Sequence, residues 1–76
     1  MKRPVKGETV AVVKSIDLVG VSSKNWHDAA EQALAEAGKS LRGIEGMDII
    51  DTSAVVHENK IAEYHTHVRV RFRIER

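Results

Sequence analysis

Read for its apolar and polar positions, the chain of 76 residues falls into four segments. From Thr9 to Val21 the run TVAVVKSIDLVGV is rich in β-branched residues, with Ile16 and Leu18 on one side and Ser15 and Asp17 on the other. This period predicts a strand that Gly20 ends or bends. Ser22 follows as the expected N-cap of a helix. Trp26, Ala30, Ala33, Leu34, Ala37 and Leu41 then build one apolar stripe, opposite Lys24, Asp28, Glu31, Gln32, Glu36 and Lys39. Gly43 stands where a C′ glycine would stop that helix.

A second strand is expected over Ile44 to His57, IEGMDIIDTSAVVH. Met47, Ile49, Ser53 and Val55 share one face, with Asp48, Ile50, Thr52 and Val56 on the other, and the imperfect alternation predicts a bulge or twist. Glu58-Asn59-Lys60 makes a short turn. The last strand alternates most cleanly. Tyr64, Thr66, Val68, Val70, Phe72 and Ile74 share one face, and His65, His67, Arg69, Arg71, Arg73 and Glu75 the other. The expected organisation is a mobile basic arm over residues 1–8 and one domain over 9–76. The order β-α-β-β implies an α+β fold, a three-stranded antiparallel sheet wrapped around one amphipathic helix. One helix covers one sheet face. The face carrying the imidazoles and guanidiniums is left for solvent, for another chain's carboxylates or for a ligand, and function is expected there.

Composition narrows the classes. Hydrophobic residues make up 42% and charged residues 30%, a globular balance. Apolar runs such as Val10 to Val13 are too short to span a bilayer, and the basic start leads into no signal-like core, so a cytoplasmic chain without a membrane partner is expected. With no cysteine, disulfides and thiol chemistry are excluded. Twelve Lys and Arg against eleven Asp and Glu leave a net charge of +1, which argues against nucleic acid as a partner. A core this small rarely supplies more than ~3–5 kcal/mol without staples or metal, so self-association is favoured.

The strand VVKSIDLVGVS, the helix segment SSKNWHDAAEQALAEAGKSL and the closing strand EYHTHVRVRFRIE together resemble the dodecin family, over about residues 9–75. The resemblance implies a hollow homododecamer that holds flavins (riboflavin or FMN) between subunits as a non-enzymatic binding and storage protein. In that family a tryptophan early in the second strand stacks on the flavin ring, and a glutamine after the last strand's tyrosine bonds its polar edge. Those positions fall on Gly46 and His65, with His67 beside them as a further ligand-binding candidate. Glycine offers no plane, and histidine lacks the paired amide pattern. Weakened or altered flavin binding is therefore implied, and Gly46→Trp is expected to strengthen it. Trp26, on the helix stripe, is expected in the core and unable to substitute.

Other constellations lie beside these. His65-Thr66-His67 has the spacing of a two-histidine metal chelate but no third ligand fixed by sequence. Glu45, Asp48 and Asp51 crowd acids at the second strand, and a flavin-free assembly that binds calcium or is purely structural is the alternative reading. The Arg69, Arg71, Arg73 ladder is expected to pair with carboxylates of neighbouring subunits. Beside it, protonated His65 and His67 are expected to weaken the assembly in acid. Ser22 and Ser23 read as capping residues, since no Ser-His-Asp constellation or oxyanion-hole motif accompanies them, and an enzyme has no support.

Overall fold

The computed structural model describes residues 11–74, so the basic arm expected over residues 1–8 lies outside the described residues. The elements run β1 (Val12–Ser22), α1 (Trp26–Gly38), β2 (Ile44–His57) and β3 (Lys60–Ile74). All three strands form one antiparallel sheet in the order β1-β3-β2, so the last strand is the central one. This is the expected β-α-β-β architecture.

β1 does not stop at Gly20. It pairs with β3 without interruption from Val12↔Ile74 to Ser22↔Tyr64. Gly20 instead lets the helix approach. A Cβ at that position would overlap the carbonyl oxygen of Ala29 and stand 3.2 Å from Cβ of Ala33. The helix meets the sheet through Ala30, Ala33 and Ala37, which pack with the fully buried Val68 and Val70. Ile16, Leu18, Leu41, Ile44 and Met47 close the edges of this core.

The start of the helix differs from the sequence expectation. Asn25 is the N-cap, its side chain accepting from the Asp28 backbone N–H at 2.6 Å. Ser22 organises the preceding turn: its hydroxyl donates to Asp28 Oδ2 at 2.6 Å and accepts from the Lys24 backbone N–H at 2.9 Å. At the other end α1 stops at Gly38, so Leu41 packs on the core from beyond the helix. Gly43, at φ +73°, turns the chain into β2. Trp26 is a half-buried lid rather than a core residue. Its indole N–H donates to the Ser53 carbonyl at 2.8 Å, and its ring meets Tyr64 edge-on with centroids 4.7 Å apart.

β2 shifts register three times, at Ile44/Gly46, Ile49/Asp51 and Val55/Val56. Each bulge reverses which face the next residues take. Met47 and Ile49 therefore lie on the helix side opposite Val70 and Val68, while Ser53 and Val55 pass to the outer face opposite His65 and Glu63. The grouping of all four on one face fails for that reason.

β1 ends at Ser22, opposite Tyr64, so the remaining β2–β3 hairpin extends alone as a two-stranded ribbon. Glu58 and Asn59, at φ 52° and 63°, form its two-residue turn. The radius of gyration is 16.6 Å and the long axis 60 Å, against about 11 Å for the radius of a compact chain of this length.

Candidate functional site

The sheet face away from the helix carries the imidazoles and guanidiniums of the last strand. On β3, His65, His67, Arg69, Arg71 and Arg73 point outward in sequence. The neighbouring strands supply acids in register: Asp17 opposite Arg69 from β1, and Asp48 opposite Arg69 and Asp51 opposite His67 from β2. The pairing is within one chain. Arg69 Nε and Nη2 donate to the two oxygens of Asp17 at 2.8 and 3.1 Å, a two-pronged contact, and His67 Nε2 lies 3.0 Å from Oδ2 of the same carboxylate. Arg73 donates to Glu45 at 2.9 Å. Arg71 Nε approaches Asp48 Oδ2 only to 3.3 Å. The hydrogen bonds from Arg69 and then His67 hold the Asp17 carboxyl down at about 2, and the same contact pushes the Arg69 guanidinium up.

This geometry corrects two expectations. The arginine ladder finds its carboxylates on adjacent strands of its own chain and does not require a neighbour's. The two imidazoles do not converge as a chelate, because His65 Nε2 lies 3.0 Å from Glu63 while His67 turns to Asp17. Of the acidic candidates, Glu45 is bonded to Arg73, Asp48 faces Arg71 and Asp51 stands across from His67. Among the described residues no three His, Cys, Asp or Glu side chains come together as a metal-holding group.

Gly46 and His65 lie on the same outer face but at distant points of it. They pair with β3 at Arg71 and at His65 itself, about 20 Å apart along an extended strand. Sequence reasoning missed the residue that stands at Gly46. The bulge at Glu45 sets Gly46 against Arg71, and the Arg71 side chain folds over the glycine. A Cβ on Gly46 would lie 2.7 Å from Cζ and 3.2 Å from Nη1 of Arg71, with Nη2 closer still. Only a hydrogen-bond register, not a spacing along the chain, brings these two together.

The model of the dodecin family matches residues 12–75. The chain belongs to the dodecin family. It is 33% identical to the dodecin of Thermus thermophilus over 64 residues, 84% of this chain and 93% of that one. A solved structure of a T. thermophilus dodecin variant superposes with a TM-score of 0.84 at 31% identity, covering 88% of this chain and all (100%) of the other. The calcium dodecin of Mycobacterium tuberculosis, described as a calcium-chelating antigen with a calcium-binding site, is 28% identical with a TM-score of 0.75, over 86% of this chain and 93% of its own. The dodecin of Streptomyces davaonensis shares the fold with a TM-score of 0.84 at 18% identity, covering 90% and 100%. The solved dodecins share the β-α-β-β fold described above. No helix among the described residues is long and apolar enough to cross a membrane.

Proposed function

We propose that this dodecin is the protomer of a cytoplasmic homododecamer that binds and stores a small ligand of the flavin class, riboflavin or FMN, between subunits and without turnover. The observation that carries the reading is the outer sheet face, where Gly46 and His65 lie too far apart along β3 for one flavin in one chain to touch both. A ligand held at both positions must be shared between protomers. The free ribbon supports association, since a two-stranded hairpin is marginal in water by itself. So do the exposed Val19, Val21, Ile49, Val56 and Ile61.

Binding is weaker than at a tryptophan-bearing site, because Gly46 supplies no aromatic plane. Gly46→Trp must shift the tip of the Arg71 side chain, a flexible group, and is expected to strengthen flavin binding once that tip has moved aside. The calcium alternative draws on the mycobacterial relative, but here Arg73 is bonded to Glu45 and the Arg71 guanidinium stands 3.3 Å from Asp48 without a hydrogen bond. A hard cation would have to expel both guanidiniums, so we favour the flavin-class ligand. Light scattering after size exclusion, followed by fluorescence titration of riboflavin and FMN, tests the proposal. A particle near twelve chains that quenches flavin fluorescence at micromolar protein is expected. A stable monomer, or a dodecamer that quenches neither flavin at millimolar concentration, would refute it.

A further inference from the structure

The three arginines of β3 are not equivalent. Arg69 and Arg73 are locked to Asp17 and Glu45 by hydrogen bonds of 2.8–3.1 Å. Arg71 makes no such bond among the described residues: its Nε is shielded from water yet has no hydrogen-bond partner, and Asp48 lies 3.3 Å away off the donor axis. The side chain lies instead over Gly46. Cζ and both terminal nitrogens of Arg71 crowd the spot that a Cβ of residue 46 would take, with Nη2 nearest and Cζ next at 2.7 Å. In an edge-on approach Cζ would trail Nη2 by nearly a full C–N bond, about 1.3 Å. The near-equal distances mean that the flat face of the guanidinium lies over the glycine. One face of that planar cation covers the Cβ position of Gly46, and the side chain remains 43% exposed.

We propose that Arg71 is the plane on which the ligand stacks, and that its charge makes the site select a flat ring bearing negative charge over the same ring when neutral. The inference rests on the flavin-class reading above. A guanidinium is planar, delocalised and weakly hydrated, and it stacks on conjugated rings. It differs from an indole in electronic preference. The oxidised flavin ring is neutral and electron-poor, which suits an electron-rich indole face. When the ring accepts two electrons and one proton from an external reductant, it becomes at neutral pH an anion whose charge is spread over the ring. A cation in van der Waals contact favours that form. This site is therefore a holder of reduced flavin, and Gly46 is what makes room for the guanidinium.

The probe is riboflavin, whose side chain is uncharged, titrated oxidised in air and reduced with dithionite under anaerobic conditions. The assembled wild type should bind the reduced form at least tenfold more tightly, equivalent to raising the two-electron midpoint potential of bound riboflavin by about 30 mV. Arg71→Gln should lose the preference. Arg71→Lys, which keeps the charge without the plane, should weaken both forms and keep the sign. Gly46→Trp combined with Arg71→Gly should invert the preference and bind the oxidised form more tightly. Light scattering confirms assembly of each variant, and Arg71→Lys preserves the comparison if a more drastic change disturbs folding. A wild type that prefers oxidised riboflavin, or an Arg71→Gln variant with unchanged affinity and preference, overturns the proposal. If the double variant binds while the wild type binds neither form, the site stands but Arg71 is a plug rather than a platform. If an assembled double variant binds neither form, it is the flavin reading that fails.

Discussion

At Gly20 the helix backbone comes closer to the sheet than any side chain would permit, because a Cβ there overlaps the Ala29 carbonyl. Overpacking of this kind costs about 1–3 kcal/mol when the surroundings can yield, and backbone yields less readily than a side-chain tip. Gly20→Ala should therefore lower stability by about 3 kcal/mol or prevent folding, read as the urea midpoint; an unchanged midpoint would show that the helix can retreat freely. Asp17 makes a prediction of a different kind. Its folded carboxyl lies at about 2, below the ordinary 3.8. Its contribution to stability is accordingly complete above pH ~4 and lost as pH falls from there toward 2. Urea unfolding should show only a small loss of stability between pH 4 and 2, since the pair is exposed, and Asp17→Asn should flatten that acid limb. Sedimentation between pH 7 and 5 tests the acid weakening expected from the sequence: dissociation there upholds it, and an intact assembly sets it aside.

Among the elements, the helix start makes the next prediction. Asn25 and Ser22 divide the work that the sequence assigns to one residue: Asn25 caps, and Ser22 ties the turn to Asp28. Asn25→Ala should cost about 1 kcal/mol in thermal or urea unfolding, whereas a shift of a few tenths would mean that Ser22 carries the cap alone. How legible each element is follows from its surroundings. β3 lies between two partners with its faces cleanly divided, and its alternation from Tyr64 to Ile74 reads true. β2 is a bulged edge strand, and each extra residue shifts the parity, so Ser53 and Val55 cannot be placed from their neighbours. The apolar stripe likewise runs on to Leu41 although the helix does not, because core contact and helical conformation are separate properties. Gly46 is visible as a missing plane, but Arg71 above it is invisible without the register that the bulge creates.

For the whole molecule, the ribbon beyond Tyr64 is the part a single chain cannot account for. Val56 is 62% exposed and Ile61 47%, and both lie where neither β1 nor α1 reaches. If that ribbon is buried between protomers, Val56→Asp should shift the light-scattering mass from the dodecamer to smaller species while the circular dichroism of the helix persists. A dodecamer of undiminished mass would place the ribbon outside the contacts. The charge ladder on the outer face is exposed and paired within the chain, so each pair contributes little to stability.

The strand order β1-β3-β2 also bears on how the protein comes into being. The two outer strands never touch each other, and both depend for their hydrogen bonds on the strand made last. On a translating ribosome the first two strands and the helix emerge with no sheet to join, and their apolar faces must wait until Ile74 has cleared the exit tunnel. The fold then closes in one step, around a strand whose pairing with β1 spans most of the chain, a topology that folds slowly for its size. Subunits can therefore meet only after β3 has emerged. A ribosome-bound chain halted before Lys60 should show no protected strand amides, and none of the subunit contacts that would tie neighbouring ribosomes together.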